Sequence, residues 1–439
     1  MHSVDYTTAD VTPFMEKLRE VLGEDEVVEI ARRSGWLRRI RKIAPVAWAA
    51  AIVSTLGSGQ ARWLADIWRT FRAFTGSTVH YKPFHKQMAK KHFPDFFRLL
   101  FETALRKWTR PVLMGVSDVL REFRDVVIHD GTSFALKDAL AKSWPGRFTT
   151  VSPAAVELHV TMSLLEDDMH EVTLTADCET ERHYRPNVEA LRGSLFLADR
   201  GYEERRFFFD LAAAGGFFIV RGTKSIRPTI RAAFDAHGRM IRRLSGERLS
   251  WDTMPFKPTD LDIEWRESAS IVHRGRIIVI PKKDKRNRKT FIYLHTNLAR
   301  DRFPATVVAQ LYRLRWQVEL LFKECKSHAN LHAFDTAKSP IAEGLIWASL
   351  LAVLLKRFLT HVTEHLLHIE LSTQRAAIAA RHFLDPILRA LGTKTSALLS
   401  ALLQAIAFLG SNARRAHPAR DRKTGRLACG LKPIAVAQS

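Results

Sequence analysis

The middle of the chain carries the pattern that most limits its fold. Residues 125–130 read Asp-Val-Val-Ile-His-Asp, a short apolar run of strand length. Val156, Leu158, Val160, Met162 and Leu164 follow at every second position, which in a pleated strand sends them to one face. An acidic turn at Glu166, Asp167 and Asp168 leads into a third strand through Val172 and Leu174. Residues 187–192 are expected to form a short helix, 194–199 a fourth, buried strand, 203–214 a helix and 216–221 a fifth strand. Three strands in succession, then helix and strand in alternation, describe a mixed sheet with helical cover.

This is the element order of ribonuclease-H-like folds, and the expected class is α/β: a ribonuclease-H-like catalytic core, a β-rich insertion, and helical regions at both ends. The first part of the core is placed at 121–221, the insertion at 222–302 and the last part of the core at 303–345. Within the insertion, 262–267, 271–274, 276–280 and 290–296 are the strand candidates. The basic run 282–289 joins two of them, as a solvated loop or a phosphate contact. The N-terminal region, 1–120, reads as helices at 12–22, with Thr12 as N-cap and Gly23 as stop, then 26–33, 61–74 and 83–93. The turn at 75–78 followed by Lys82, His85, Lys86, Lys90 and Lys91 suggests a DNA-binding helix-turn-helix. The C-terminal region, 346–439, reads as helices at 346–359, 374–384 and 395–409, with a break at Pro386 and a basic, irregular end from Asn412. Its apolar helices suit a dimer interface or an ordinary core.

Charge narrows the partner. Lys plus Arg number 68 against 46 Asp plus Glu, a formal +22 spread along the chain, so a large polyanion is the natural ligand. Cys178, Cys325 and Cys429 stand far apart without zinc spacing, which argues against a zinc finger or a disulfide scaffold. The apolar runs 43–56 and 344–355 are shorter than the roughly 18 to 20 residues needed to span a bilayer, so both read as buried helices and no membrane partner is expected. The first residues lack a basic segment followed by an apolar one, which places the protein in the cytoplasm.

Residues 312–326 read as one helix in which Tyr312, Arg315, Glu319 and Lys326 fall at i, i+3, i+7 and i+14, on one face. Leu311, Leu314, Val318, Leu321 and Cys325 repeat one residue earlier as the buried stripe. A carboxylate flanked by two cations and a phenol suits a metal-bound phosphodiester, although a solvated amphipathic surface has the same pattern. Asp130 and Asp199 are each expected to end a strand before a glycine turn, and strand ends at a crevice are where open α/β sheets hold ligands. With the first and fourth strands side by side, these carboxylates and Glu319 would form a site for hard divalent cations such as Mg²⁺. Asp177, Glu179 and Glu181 read as loop charges, and His129 and Thr132 lie beside the first Asp as orienting or purely structural groups.

The His-Asp-Gly-Thr-Ser of 129–133, the Ala-Asp-Arg-Gly-Tyr of 198–202 and the Tyr312, Arg315, Glu319, Lys326 signature resemble the DDE transposases of the insertion-sequence-four family. The resemblance covers about 124–326. It implies a metal-dependent DNA transposase that binds terminal inverted repeats, cuts the element ends and joins their 3′-hydroxyls to target DNA. It further implies that Asp130, Asp199 and Glu319 hold two Mg²⁺ ions, with Mn²⁺ as a substitute, and that Tyr312, Arg315 and Lys326 grip phosphates. The partners it implies are double-stranded DNA and a second copy of the chain on that DNA, in the bacterial nucleoid. Some members stack a flipped base on an aromatic of the insertion, for which Phe291, Tyr293 and Trp265 are candidates, or ordinary core. The competing readings are a non-cutting DNA-binding derivative that acts as a repressor, and a ribonuclease-H-like nuclease without strand transfer.

Overall fold

The computed structural model describes residues 8–418 apart from 41, 60, 62, 109–119, 166–167, 180, 224–226, 251, 267–271, 285 and 329–334. The chain opens with helices α1 (Thr8–Leu22), α2 (Glu24–Arg33), α3 (Pro45–Gly57), α4 (Leu64–Thr75), α5 (Tyr81–Met88) and α6 (Phe93–Trp108). Local chemistry sets several of their ends. Glu24, Asp25 and Glu26 open α2 and Arg32 and Arg33 close it, matching the helix dipole at both ends. Gly76, at φ 64°, closes α4 in the left-handed region that glycine adopts without strain. Because α1 begins at Thr8, Thr12 is not its cap and Pro13 lies inside the helix.

The sheet follows. Strand β1 (Val126–Ala135) pairs antiparallel with β2 (Ala155–Ser163), and β2 with β3 (Asp168–Ala176). Strand β4 (Leu195–Ala198) lies parallel to β1, and after helix α7 (Arg205–Ala213) strand β5 (Phe217–Gly222) lies parallel to β4. The order β3-β2-β1-β4-β5 with this mixture of directions is ribonuclease-H-like. Residues 187–192 form tight turns with i→i−3 hydrogen bonds instead of the expected helix, ending at Gly193 in the left-handed region.

The insertion continues the same sheet. Strands β6 (Thr229–Phe234), β7 (Thr259–Arg266), β8 (Val272–Lys283) and β9 (Lys289–Thr296) extend it to the nine-stranded order β3-β2-β1-β4-β5-β9-β8-β7-β6. Two expected strands at 271–274 and 276–280 merge into β8 across Gly275. A Cβ there would meet His295 Nε2 at 3.0 Å, so the glycine serves close packing and not a turn.

Helices α8 (Ala305–Arg313), α9 (Trp316–His328), α10 (Ser339–Leu367), α11 (Thr373–Ala380), α12 (Leu384–Leu391) and α13 (Thr395–Asn412) complete the described chain. Pro386 sits in the first turn of α12, where a proline is tolerated, so the expected break falls earlier, before Leu384. Helix α10 spans 29 residues, far beyond the 344–355 run. It and α13 are long and apolar enough to cross a membrane, but 94% of the most apolar window of α10 is buried in protein. Its apolarity is spent on a helical core shared with α3, α6, α11 and α13. The expected irregular basic end falls mostly outside the described residues.

Candidate active site

The site forms where the sheet opens. Strand β1 is hydrogen-bonded to β4 only from Val126 to Ile128, opposite Leu195 to Leu197. Beyond that point β4 stops at Ala198 while β1 runs on beside β2. Asp130 therefore lies inside a strand, opposite Val160, and does not end one as expected. Its position still borders the crevice at the carboxyl ends of the parallel strands, because its neighbour on the β4 side has ended. Asp199 follows directly on β4 and starts a 3₁₀ turn.

The expected single helix over 312–326 is broken. Tyr312 belongs to α8, Glu319 and Lys326 to α9, and Arg315 lies in the junction. There Leu314 N–H donates to Leu311 and Arg315 N–H to Tyr312, the i→i−3 closures of a 3₁₀ turn, in which i and i+3 eclipse. The tighter turn lines Tyr312 up with Arg315 above the two aspartates. The apolar stripe of Leu311, Leu314, Val318, Leu321 and Cys325 is buried throughout.

The polar side chains then meet. Arg315 Nη1 donates to Asp130 Oδ2 at 2.8 Å, and its Nη2 lies 3.4 Å from Glu319 Oε1. The Tyr312 hydroxyl donates to Asp199 Oδ1 at 3.3 Å. Lys326 Nζ donates to the Ser133 carbonyl at 2.8 Å. Burial pushes the Asp130 carboxyl up to about 7, and the charges of Glu319 and Asp199 push the same way, against Arg315 and the Gly131 N–H. Burial also raises the Tyr312 phenol, which keeps its proton and can only donate it in a hydrogen bond, and lowers the Lys326 ammonium.

Asp130, Asp199 and Glu319 offer the all-oxygen donor set that a hard divalent cation prefers. Among the described residues no three His, Cys, Asp or Glu side chains stand close enough to hold an ion as they are. Arg315 supplies the positive charge between two of the three carboxylates, so the set fits a cation in chemistry, with the guanidinium in its place.

The neighbouring residues singled out in the sequence mostly keep to one of the readings given for them. His129 projects to the opposite face of β1 from Asp130, where Nδ1 meets Thr161 Oγ1 at 3.0 Å. Burial, with His159 and Arg185 nearby, pushes its imidazole down to about 3, so it is neutral. Asp177 lies in the turn after β3, as expected, but it is not a solvated charge. It is buried, accepts hydrogen bonds from the Ser133 hydroxyl and from the Arg147 N–H at 3.0 Å, and so ties the strand segment that Lys326 grips to the far side of the sheet. Glu179 accepts from the Tyr184 hydroxyl. Phe291, Tyr293 and Trp265 are all buried in the separate core of the insertion. Trp265 also lines a cleft of about 530 Å³ with Glu203, Arg205 and Thr223.

Two features went unseen in the sequence. Arg221, at the end of β5, has Nη1 3.8 Å from Asp199 Oδ1, completing a row of charged residues along β1, β4 and β5. Its place at the end of a parallel strand was the signal that could have found it. In the helical region, a cleft of about 1350 Å³ is lined by Arg38, Arg39, Lys42, Arg72, Lys90 and Lys91, with no acidic residue among those lining it.

Residues 121–355, more than half of the chain, match the family described as Transposase DDE domain. The chain belongs to the DDE transposases. It is 22% identical over 456 residues to the transposase for insertion sequence element IS231C of Bacillus thuringiensis subsp. berliner, covering 92% of each protein. It is 44% identical over 221 residues to the putative transposase InsL for insertion sequence element IS186A of Escherichia coli strain K12, covering 42% of this chain and 55% of that one. A cryo-EM structure of a piggyBac transposase synaptic complex with hairpin DNA superposes with a TM-score of 0.43 at 10% identity, over 91% of this chain and 85% of that one. The transposase is thus a DNA-binding enzyme of the insertion-sequence-four-like group that cleaves DNA and transfers strands, in a family that uses divalent metal ions.

Proposed function

We propose that this transposase binds the terminal inverted repeats of its insertion sequence and moves it by Mg²⁺-dependent cut-and-paste transposition. Asp130, Asp199 and Glu319 would hold two Mg²⁺ ions, for which Mn²⁺ can substitute. The observation that carries this reading is the Arg315 bridge. Asp130 of β1 and Glu319 of α9, far apart in sequence, meet on the one guanidinium of Arg315, with Asp199 beside them on the Tyr312 hydroxyl, in a crevice that leaves Asp130 short of positive charge.

When bound, such ions supply Lewis-acid activation of a water or 3′-hydroxyl and stabilisation of the leaving oxygen in an in-line displacement. The chain's own groups do the rest. Arg315 turns from Asp130 and Glu319 to a phosphate at the cleaved end, where its planar fork can make two hydrogen bonds. Tyr312 donates a hydrogen bond from the far side of Asp199, and Lys326 meets the backbone as a point charge beside Ser133. The basic cleft between the α2–α3 connection and α5 lies within the proposed N-terminal DNA-binding region, 1–120, and suits a length of DNA backbone. Two ends must be held together, so the active form is read as a homodimer on DNA, in the cytoplasm.

The test is incubation of the protein with a duplex carrying the element end and flanking DNA, with Mg²⁺ or with chelator, and strand-by-strand mapping of the products. Cleavage at the element end only with Mg²⁺, followed by joining of the 3′-hydroxyl to a target, is expected. Cleavage indifferent to chelator would overturn the reading.

A further inference from the structure

The back of α9 carries a second ion pair that none of these steps uses. Glu324 follows Glu319 by five residues, which on a helix sets it about 140° round the axis and about 7.5 Å along it. Its Oε2 accepts from Arg357 Nη1 of α10 at 3.0 Å, with the two side chains 3% and 4% exposed. Lys356 is buried beside them, and Glu324, Lys356 and Arg357 line a small cavity with Thr360 and Thr373.

A pair buried this deeply is a poor stabiliser, because removing two charges from water offsets most of their attraction. Its distinctive property is direction. On its buried side α9 otherwise packs through Val318, Leu321, Phe322 and Cys325, and apolar contacts resist rotation and sliding only through shape. Helix α9 also gains from a contact of its own to α10, since the turn at Leu314 and Arg315 joins it to α8 by i→i−3 hydrogen bonds in place of the regular α-helical ladder. We infer that Glu324 and Arg357 are positioning residues that fix α9 on α10, so that Glu319 and Lys326 face Asp130 and Ser133. This rests on the reading of Glu319 as part of the cutting site. A displacement near 1 Å at such a site is enough to lower a rate on the order of a hundredfold.

The test uses the full-length protein and three variants: the double replacement Glu324→Leu with Arg357→Met, which removes both charges at similar volume, the exchange Glu324→Arg with Arg357→Glu, and Asp130→Asn as a dead control. Thermal midpoint, binding to the element end, and cleavage rate against Mg²⁺ concentration are measured for each. The apolar pair is expected to fold and to bind ends within about twofold of wild type while cutting about 10 to 100 times more slowly and needing more Mg²⁺, and the exchange to recover much of the rate. A double variant that unfolds, or that cuts at the wild-type rate, overturns the inference. A readout free of activity separates this from failure of the cutting-site reading. With Cys178 and Cys429 replaced by Ser and Cys325 buried, nitroxides on cysteines placed at exposed Lys323 of α9 and Ala135 of β1 should give one narrow distance in the wild-type background and a broad one with the apolar pair. An equally narrow distribution in both overturns it, whatever the wild type does to DNA.

Discussion

Two aspartates of one sheet, each held by arginine, behave in opposite ways. In the insertion, Asp260 takes both Nε and Nη2 of Arg276, at 2.9 and 2.7 Å, and Nε and Nη2 of Arg300, at 2.9 and 3.2 Å. Arg276 spends its remaining nitrogen on the carbonyls of Leu298 and Phe303. Burial alone would raise the Asp260 carboxyl, but the hydrogen bonds and charges of the two arginines hold it below the usual carboxylate range. Asp130 has one guanidinium, shared with Glu319, and two further carboxylates nearby, and it is pushed up to about 7. A saturated network fixes structure, whereas an undersupplied carboxylate is a site kept ready for another cation.

The comparison breaks most visibly on activity. Asp130→Ala, Asp199→Ala and Glu319→Ala should each lower end cleavage by at least about a thousandfold with end binding within a few fold of wild type. Retained cutting by Glu319→Ala, followed on a labelled duplex, would remove Glu319 from the site. Stability should respond the other way round. Asp260→Asn leaves two arginines undersatisfied and should cost about 3 to 5 kcal/mol in denaturant unfolding. For a depressed carboxylate, the stabilisation is fully present above the unfolded-chain value near 4 and is lost as pH falls through the folded value. The fall in melting temperature of the wild type below about pH 4 should therefore be shallower in Asp260→Asn. Asp130→Asn, measured at pH 8 with chelator, should leave stability unchanged or raise it by about 1 kcal/mol, because it removes a poorly satisfied buried charge. A loss as large as that of Asp260→Asn would show that the two aspartates play the same structural part.

The sequence made this contrast only half legible. The succession of strands and helices followed from periodicity, because alternation and apolar runs are local signals, and the nearness of Asp130 to Asp199 followed from the fold class which that succession implied. That Asp130 lies within a strand did not, because His-Asp-Gly-Thr-Ser reads as a turn. Gly131 is there for a tertiary reason: a Cβ would stand 2.9 Å from Glu157 Oε1 and 3.3 Å from the Tyr202 hydroxyl. The partnership of Asp260 with Arg276 and Arg300, and that of Asp177 with Ser133 and Arg147, arises from register between strands and from loops returning to them, which no local pattern encodes. Strand β6 escaped notice because residues 229–234 hold only two large apolar side chains, Ile230 and Phe234. The break at Arg315 was invisible because its helical period runs on unaltered, and a 3₁₀ turn there is selected by what the side chains reach.

Arg315 sharpens the contrast more finely. If it substitutes for a cation, its removal should make the DNA-free protein a better metal binder. Arg315→Ala should bind Mn²⁺ about tenfold more tightly than wild type, read from the free-Mn²⁺ signal in electron paramagnetic resonance, while losing end cleavage. The corresponding change in the insertion, Arg300→Ala, should leave Mn²⁺ binding unaltered. Equal Mn²⁺ affinity in Arg315→Ala and wild type would mean that the guanidinium does not compete with the ion.

The smallest effect belongs to Lys326, whose ammonium rests on the Ser133 carbonyl at 2.8 Å, with burial lowering its pKa. A cation that rests on a neutral carbonyl, with the Glu319 charge acting on it only through space, can be transferred to a phosphate without breaking a direct hydrogen-bonded ion pair. One lost phosphate contact reduces the slope of log affinity against log salt by about one unit. Lys326→Ala should therefore weaken end binding several-fold at low salt and hardly at all at high salt, in a titration from about 50 to 200 mM. A uniform weakening with the slope unchanged would instead assign Lys326 to the Ser133 strand alone, as a structural tie of the kind that Arg276 makes in the insertion.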